Sequence, residues 1–287
     1  MVLAASTSAF AHASLQEALQ GVRAAGYRHV EIACIRGMIE HVRQEEMTSS
    51  RAAEVRCLAD AAGLRMVALS AHMDLAGEGA LEDFAARLDF AAALGVRFVN
   101  TNISPPERRD VFLRHLRELG PRARALRLTL CIEAPGTLLP GSDEYRELLE
   151  RLGDAPVALN FDVGNVLTAS LGAADPVLHL EAVYDAVAHL HVKDVTFAGD
   201  TWGFAPLGDG VLDWPRLFAF LRRAGRVPPI TVEMPLALTG KGAGKGAVPA
   251  KLAADPVPYD AAVEGLRRSR EFLASGLGAV LDVVPDA

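Results

Sequence analysis

Four residues have the side-chain types and the positions needed to hold a divalent cation. Each lies at or near the end of a separate short apolar segment: Glu133, Asp162, His191 and Glu233. Three carboxylates buried side by side raise one another's pKa, and burial adds to the cost of ionising them. A divalent cation resolves this conflict because it neutralises the carboxylates and still leaves coordination positions open for a substrate. We therefore interpret the four residues as the ligands of one metal ion.

The donor set indicates which metals suit this predicted site. It has more oxygen than nitrogen donors and no thiolate, which favours Mn²⁺, with Mg²⁺, Co²⁺, Zn²⁺ and Fe²⁺ as alternatives. A single carboxylate at a strand end is more often a helix cap or a surface group, and a single buried histidine is more often a packing residue. The hypothesis therefore depends on all four residues ending consecutive strands with the same side-chain direction.

Eight strand-like segments alternate with eight segments of helical period. The predicted strands are 2–6, 29–33, 66–70, 97–101, 128–133, 157–162, 189–194 and 230–233. The predicted helices are 14–25, 48–62, 80–94, 107–125, 143–152, 175–188, 213–224 and 259–274. Alternation predicts a parallel sheet, and eight units predict an α/β fold of the (β/α)8 TIM barrel type, with residues 1–287 as a single domain. An open doubly wound sheet is the alternative, although no G-x-G-x-x-G follows the first strand.

The stretch "HLHVKD" at 189–194 indicates which side chains face the barrel interior. Successive strand residues point to opposite faces, so Leu190 and Val192 face the helices while His189, His191 and Lys193 face inward. The strands at 128–133, 157–162 and 230–233 show the same alternation. Because barrel enzymes build their active sites at the C-terminal ends of the strands, we expect the four predicted ligands to meet at one mouth.

The composition indicates which binding partners and which cellular compartment are favoured for this protein. A formal net charge of −7 without a basic run disfavours nucleic acid and membrane surfaces as partners. Three separated cysteines predict neither a disulfide framework nor a cysteine zinc site, and no apolar run has the roughly 20 residues that span a bilayer. We expect a cytoplasmic protein, with a homo-oligomer left open. The low-complexity stretch 239–250 is predicted to be a mobile loop at the barrel mouth.

Several motifs together resemble one superfamily. They are "CIEAPG" at 131–136, "NFDVGN" at 160–165, "HLHVKD" at 189–194, "APLGDGVLDW" at 205–214 and "TVEMP" at 231–235. The chain resembles the xylose isomerase-like barrels, a superfamily of sugar isomerases and epimerases. Its relatives include ketose 3-epimerases, hydroxypyruvate isomerase, inosose dehydratase and, more distantly, an AP endonuclease. The resemblance implies that Glu133, Asp162, His191 and Glu233 are metal ligands, and that the two glutamates also act as an acid/base pair.

The resemblance further implies the reaction. A metal-dependent isomerase or epimerase would move a proton next to the carbonyl of a small polyhydroxylated substrate, through an enediolate. The alternative is a lyase of the inosose dehydratase or C-glycoside-cleaving type. An AP endonuclease and a non-catalytic sugar-binding barrel are less favoured. Asn165 stands where many relatives have a histidine, which argues against the multi-zinc endonuclease arrangement and against a close match to the ketose 3-epimerases.

Six further residues are predicted to contact the substrate: Glu31, His72, Asn102, Asn165, Lys193 and Trp202. Lys193 has an alternative role as the ion-pair partner of an acidic ligand. Trp202 has an alternative role as an ordinary anchor of the loop after the seventh strand.

Overall fold

Eight parallel strands form a closed barrel, which confirms the predicted fold class. The computed structural model describes residues 2–134, 142–243 and 248–278. The barrel strands are β1 (Leu3–Ser6), β2 (His29–Ile35), β4 (Arg65–Ser70), β5 (Phe98–Asn102), β6 (Thr129–Glu133), β7 (Val157–Asp162), β8 (Val187–Val192) and β11 (Ile230–Val232). They pair in chain order, and β1 pairs with both β2 and β11, so the sheet has no free edge. Strand β3 (Ile39–Glu40) adds an antiparallel hairpin to β2.

Nine α-helices surround the barrel within the described residues. They are α1 (Leu15–Ala24), α2 (Ser49–Ala61), α3 (Ala80–Leu94), α4 (Arg109–Ala125), α5 (Ser142–Leu152), α6 (Val163–Ser170), α7 (Pro176–Val183), α8 (Trp214–Arg223) and α9 (Tyr259–Leu277). Helix α6 was not predicted. It begins where Asp162 accepts hydrogen bonds from two backbone N–H groups, so a predicted ligand also caps a helix. Among these helices none has the length and apolar character needed to cross a membrane.

The predicted helix 175–188 extends too far. Helix α7 ends at Val183, a short 3₁₀ turn covers Tyr184–Ala186, and β8 begins at Val187. Apolar side chains continue through this junction, so periodicity alone does not mark the change from helix to strand. Strand β8 then ends at Val192, and Lys193 follows it instead of lying within the strand.

Alternating side chains divide each barrel strand between two environments. Leu190 and Val192 of β8 belong to the apolar core between barrel and helices. His189 and His191 point the other way and are fully buried inside the barrel, together with Glu31 of β2. The barrel interior therefore holds ionisable groups at positions from which water is excluded, as the sequence alternation predicts.

A second, four-stranded antiparallel sheet contradicts the prediction of a mobile loop at 239–250. It consists of β9 (Asp194–Ala198), β10 (Thr201–Ala205), β12 (Leu238–Lys241) and β13 (Val248–Leu252), and we call it the cap sheet. Residues 244–247 of the predicted loop lie outside the described residues. This sheet forms by pairing between segments far apart in the chain. The low-complexity stretch itself has no alternation of apolar and polar residues that would predict a strand.

Trp202 lies on strand β10 of the cap sheet and not on a loop. Its indole packs closely against Gly240 of β12, where a Cβ atom would stand only 2.1 Å from the ring. Glycine at this position therefore permits the close approach of the ring. The Trp202 and Phe204 rings also make an edge-to-face contact, with 5.6 Å between the ring centroids.

Asp194 anchors the chain where the barrel passes into the cap sheet. Its fully buried carboxylate accepts hydrogen bonds from the backbone N–H groups of Gly208 (2.8 Å) and Leu212 (3.1 Å). It also accepts one from the Trp214 indole at 2.7 Å. A single side chain thus joins the end of β8, the "PLGDG" turn and the start of α8. Because Asp194 directly follows Lys193, this anchor also holds the strand end that carries the inward-facing residues.

We expect Asp194→Ala to lower the free energy of unfolding by about 3 kcal/mol or more, because it leaves several buried donors without an acceptor. The matched control is Asp213→Ala. Asp213 caps helix α8 through the backbone N–H of Arg216, and its loss should cost about 1 kcal/mol. Urea unfolding monitored by circular dichroism measures both values. Equal losses in the two variants would contradict an anchoring role for Asp194.

Candidate metal centre

Four consecutive barrel strands bring the predicted ligands together. Glu133 ends β6, Asp162 ends β7, His191 lies near the end of β8, and Glu233 directly follows β11. One donor atom from each residue lies within 4.8 Å of a donor atom from every other. Parallel strands place their C-terminal ends at one mouth of the barrel, which accounts for this convergence of residues far apart in the chain.

His191 points one ring nitrogen directly into the carboxylate cluster. Its Nδ1 lies 3.2 Å from Glu133 Oε2, 3.5 Å from Glu233 Oε2 and 3.9 Å from Asp162 Oδ2. Although fully buried, Nδ1 has no well-aligned hydrogen-bond partner among the described residues. A buried nitrogen facing three carboxylate oxygens without a directed hydrogen bond is the arrangement expected of a metal ligand.

Glu31 sets the orientation of the His191 ring. The opposite nitrogen, Nε2, lies 2.9 Å from Glu31 Oε2, and Asn100 Nδ2 donates to Glu31 Oε1 at 3.0 Å. A carboxylate that accepts from the outer N–H of a ligating histidine fixes the tautomer whose other nitrogen is free to bind metal. Glu31 was predicted to contact the substrate, but the structure places it beneath His191, fully buried and away from the pocket lining.

Beneath the ligands the interior polar groups form a continuous network. His189 Nε2 lies 2.9 Å from the Thr231 hydroxyl, and its Nδ1 lies 3.1 Å from the Asn100 amide. Glu31, His189 and His191 form a second group of closely spaced donor atoms. The His189 nitrogens already have these partners, so we interpret this lower group as support for the upper one.

Lys193 joins two of the predicted ligands by ion pairs. Its Nζ lies 2.8 Å from Asp162 Oδ2 and 2.5 Å from Glu233 Oε2, and the ammonium is buried. The close approach depends on Gly164 in α6, because a Cβ there would stand 2.5 Å from the Lys193 Cβ. The ion-pair role that the sequence left open for Lys193 is therefore present in the structure.

Two asparagines orient Glu133. Asn160 Nδ2 donates to Oε2 in a very short contact, and Asn165 Nδ2 donates to Oε1 at 2.7 Å. Asn165 Oδ1 in turn accepts from Lys193 Nζ at 3.3 Å. Asn160 was not selected as a site residue from sequence, although it shares the inward face of β7 with Asp162. Its position two residues before a predicted ligand was the available signal.

The pKa shifts show how strongly these groups depend on one another. Burial acts to raise the pKa of Glu133 and Glu233, but both pKa values fall below their usual range. Positive charge at His191 outweighs burial for Glu133, and the Lys193 ammonium together with His191 outweighs it for Glu233. For Glu31 the same balance lowers the pKa to about 2.

Asp162 behaves differently from the other carboxylates. Burial, reinforced by the neighbouring glutamates, raises its pKa to about 6 despite the Lys193 ammonium. The pKa of His191 is raised well above its usual value because the Glu31, Glu133 and Glu233 carboxylates outweigh the effect of burial. In the absence of metal, a proton on the imidazole therefore competes for the lone pair that a cation would use.

The donor set fits a divalent cation. Four buried carboxylates against the single Lys193 ammonium leave three negative charges in excess while His191 is neutral, and a divalent ion reduces that excess to one. Donor atoms around a six-coordinate ion with ligands at about 2.1 Å stand roughly 3 Å apart, close to the separations from His191 Nδ1 given above. The residues that would hold the ion are Glu133, Asp162, His191 and Glu233.

A pocket of about 240 Å³ opens above the cluster. Glu133, Glu233, Asn165 and Lys193 line its floor. Three other residues predicted to contact substrate also line it: His72, Asn102 and Trp202. His72 Nε2 lies 3.7 Å from Glu133 Oε2. Of the six residues predicted to contact substrate, all except Glu31 therefore face the pocket. Pro135 and Gly136 of the "CIEAPG" motif lie outside the described residues.

Comparison with known proteins shows which family and which solved structures this chain is similar to. The profile of the xylose isomerase-like TIM barrel family matches residues 19–267. A xylose isomerase domain protein from Planctomyces limnophilus is 18% identical, with a TM-score of 0.71 over 98% of each chain. A xylose isomerase-like TIM barrel protein from Mycobacterium smegmatis, solved in complex with magnesium, is 18% identical, with a TM-score of 0.72 over 98% of this chain and 97% of that one.

A solved epimerase has the same architecture. D-psicose 3-epimerase from Clostridium cellulolyticum H10, solved with D-tagatose, is 12% identical, with a TM-score of 0.72 over 96% of this chain and 99% of that one. At these identities the likeness shows a common fold. No curated protein sequence matches the chain. Because the family profile spans most of the chain and the barrel is closed by eight parallel strands, the chain belongs to the xylose isomerase-like TIM barrel family.

Proposed function

We propose that the protein is a divalent-metal-dependent isomerase or epimerase of a small sugar or sugar-derived keto compound. The observation that carries this proposal is the position of Glu133 and Glu233. Both are candidate metal ligands, and both also line the floor of the pocket. A binding protein would not need two ionised carboxylates beside the bound carbon skeleton. Structural neighbours that include D-psicose 3-epimerase and L-ribulose 3-epimerase support the same class.

The metal, Mn²⁺ in our proposal, would supply Lewis acidity toward the substrate carbonyl and an adjacent hydroxyl. Glu133 and Glu233 perform the proton transfer. Their lowered pKa values keep both ionised, so either can accept the proton from the carbon next to the carbonyl. For epimerisation, the glutamate on the opposite side of the substrate takes up a proton from water and delivers it to the other face of the carbon, and the first glutamate later releases its proton to water. Retrieval by the same carboxylate instead would transfer the proton between adjacent carbons, which is isomerisation.

Neighbouring groups hold these carboxylates and stabilise the enediolate. Asn160 and Asn165 fix the plane of the Glu133 carboxylate, so its reacting oxygen is pre-oriented. The Lys193 ammonium faces both the pocket and Glu233, where its positive charge stabilises negative charge that develops on substrate oxygens. His72 and Asn102 are proposed to hydrogen-bond substrate hydroxyls from the side of β4 and β5.

Two other features are consistent with this proposal. The described cysteines are free thiols, two of them buried, which suits a reducing cytoplasmic location. Asn165 stands where a multi-zinc nuclease would need a further histidine, and the acidic chain does not favour binding a nucleic-acid backbone. We further propose that the whole chain acts as a single domain.

Wild-type protein incubated with Mn²⁺ is expected to retain about one ion per chain. The double substitution Glu133→Gln with Glu233→Gln should weaken binding by more than about 100-fold, because it removes two anionic ligands while keeping their shape. Elemental analysis and calorimetric titration measure stoichiometry and affinity. The matched control is Glu118→Gln on the exposed face of α4, which should bind as wild type. Absence of metal binding in the wild type would remove the basis of the mechanism.

Glu31→Gln should weaken Mn²⁺ binding by roughly 10- to 100-fold although Glu31 is not a ligand. The amide retains the shape of the carboxylate, but it can present its NH₂ group to His191 and then favours the tautomer with a proton on Nδ1. Calorimetric titration of this variant beside Glu118→Gln gives the ratio of dissociation constants. Unchanged affinity in a folded Glu31→Gln protein would show that the ring is oriented by other contacts.

The reaction class is tested by proton exchange in D₂O. Metal-loaded protein incubated with hydroxyketones, both free ketoses such as D-fructose, D-tagatose and L-ribulose and aryl-substituted ones, should introduce deuterium next to the carbonyl of a compound that it turns over. Either single glutamine substitution should slow exchange by on the order of 10²- to 10⁴-fold. Nuclear magnetic resonance follows exchange and product. A conjugated product with new ultraviolet absorbance would instead identify a lyase, in which the same base removes the proton and a β-substituent leaves.

A further inference from the structure

The pocket above the metal centre is polar at its floor and apolar around its upper part. The polar lining comes from barrel strand ends and the residues just after them, including His72, Asn102 and Lys193. The apolar lining comes mostly from elements above the barrel. We call this lining the apolar wall, and it consists of Ile35, Met38, Ile39, Phe204, Pro235 and Leu238.

Two separate structures build the apolar wall except for Pro235, which follows β11. The β2–β3 hairpin contributes Ile35, Met38 and Ile39, and the cap sheet contributes Phe204 and Leu238. Ile39 and Leu238 are buried, whereas Met38 is 38% exposed at the rim. Large apolar side chains on both structures therefore line a pocket whose floor is ionic.

Such a wall discriminates against a fully hydroxylated substrate. Each hydroxyl group placed against apolar side chains loses its hydrogen bonds to water without gaining new ones, at a cost of about 1–3 kcal/mol. Above the floor residues Glu133, Asn165, Lys193 and Glu233, the described lining side chains with hydrogen-bonding groups are Ser8, His72, Asn102 and Trp202. Of these, Ser8 Oγ and Trp202 Nε1 have almost no exposed surface. An extended polyol would leave several hydroxyl groups unpaired there.

The contacts of Phe204 and Trp202 mark the boundary between the two regions. The Lys193 ammonium lies 5.4 Å from the Phe204 ring centroid, so one face of this ring already belongs to the ionic floor. The neighbouring Trp202 indole is buried, and its Nε1 has no hydrogen-bond partner among the described residues. Because Nε1 itself has almost no exposed surface, Trp202 presents ring carbon to the pocket.

We propose that the substrate of this site carries an apolar substituent, aryl or branched alkyl, attached to a short hydroxycarbonyl end. The hydroxycarbonyl end lies on the metal centre, and the substituent lies against the apolar wall. This inference rests on the proposed function, since it takes the floor as the place where the carbonyl binds. It narrows the substrate class from free ketoses to substituted keto compounds.

Three hydroxamates test the inference, because a hydroxamate chelates a divalent metal as an enediolate would. Acetohydroxamate carries the chelating group alone, threonohydroxamate adds hydroxyl groups, and phenylacetohydroxamate adds an aryl group. Calorimetric titration of Mn²⁺-loaded wild-type protein gives each dissociation constant. We expect phenylacetohydroxamate to bind at least about tenfold more tightly than the other two, as burial of a phenyl ring predicts.

Two variants test whether the apolar wall causes the tighter binding of phenylacetohydroxamate. Phe204→Asn should remove most of the phenyl advantage. Met38→Ser, at the exposed rim where folding is little affected, should reduce it by about threefold. Because Phe204 also contacts Lys193, each phenylacetohydroxamate constant is compared with the acetohydroxamate constant of the same variant. The matched control is Leu178→Ser on α7, an apolar residue 56% exposed and outside the pocket lining, which should change none of the three constants.

The outcomes separate the two proposals. If acetohydroxamate binds but the phenyl compound gains nothing, or if threonohydroxamate binds most tightly, the apolar-substituent inference is wrong and the metal mechanism stands. If acetohydroxamate fails to bind the metal-loaded protein, the proposed function is wrong and this inference fails with it. A phenyl advantage that survives in both wall variants would also overturn the inference.

Discussion

The burial of four carboxylates inside one barrel is the constraint on which the rest of the structure depends. Glu31, Glu133, Asp162 and Glu233 are nearly inaccessible to water, and Lys193 alone does not balance their charge. Burying unpaired charge is far more costly than the few kcal/mol by which a domain of this size is stable. The neighbouring asparagines, histidines and lysine exist in this arrangement because each carboxylate needs hydrogen bonds, an ion pair or a cation.

Because each buried carboxylate needs such partners, the polar residues of the barrel interior form two levels. At the lower level Glu31, Asn100 and His189 are joined by hydrogen bonds and support the residues above them. At the upper level His191 Nδ1 and three carboxylates present oxygen and nitrogen donors to a common point. Glu31 connects the levels through His191, so that a residue remote from the pocket determines which ring nitrogen reaches the metal centre.

The elements above the barrel convert this centre into a selective site. Asp194 turns the chain out of β8 into the cap sheet, and the cap sheet brings Trp202 and Phe204 over the ionic floor. The barrel thus supplies groups for proton transfer, whereas the hairpin and the cap sheet supply the surface that selects the substrate. This division matches the general behaviour of barrel folds, in which chemistry lies at strand ends and specificity lies in the segments that follow them.

Sequence alone determined the barrel and its inward-facing ligands, because strand alternation is a local property and parallel strands must end at one mouth. It therefore predicted that Glu133, Asp162, His191 and Glu233 would converge. Tertiary structure decided what depends on contacts between distant segments. Glu31 faces His191 and not the pocket because β2 lies across the barrel from β8, and residues 239–241 form a strand because β10 is beside them. The stretch 239–250 has no alternation that indicates a strand, and nothing in it specifies pairing with β10, so the cap sheet and the apolar wall became visible only in the folded chain.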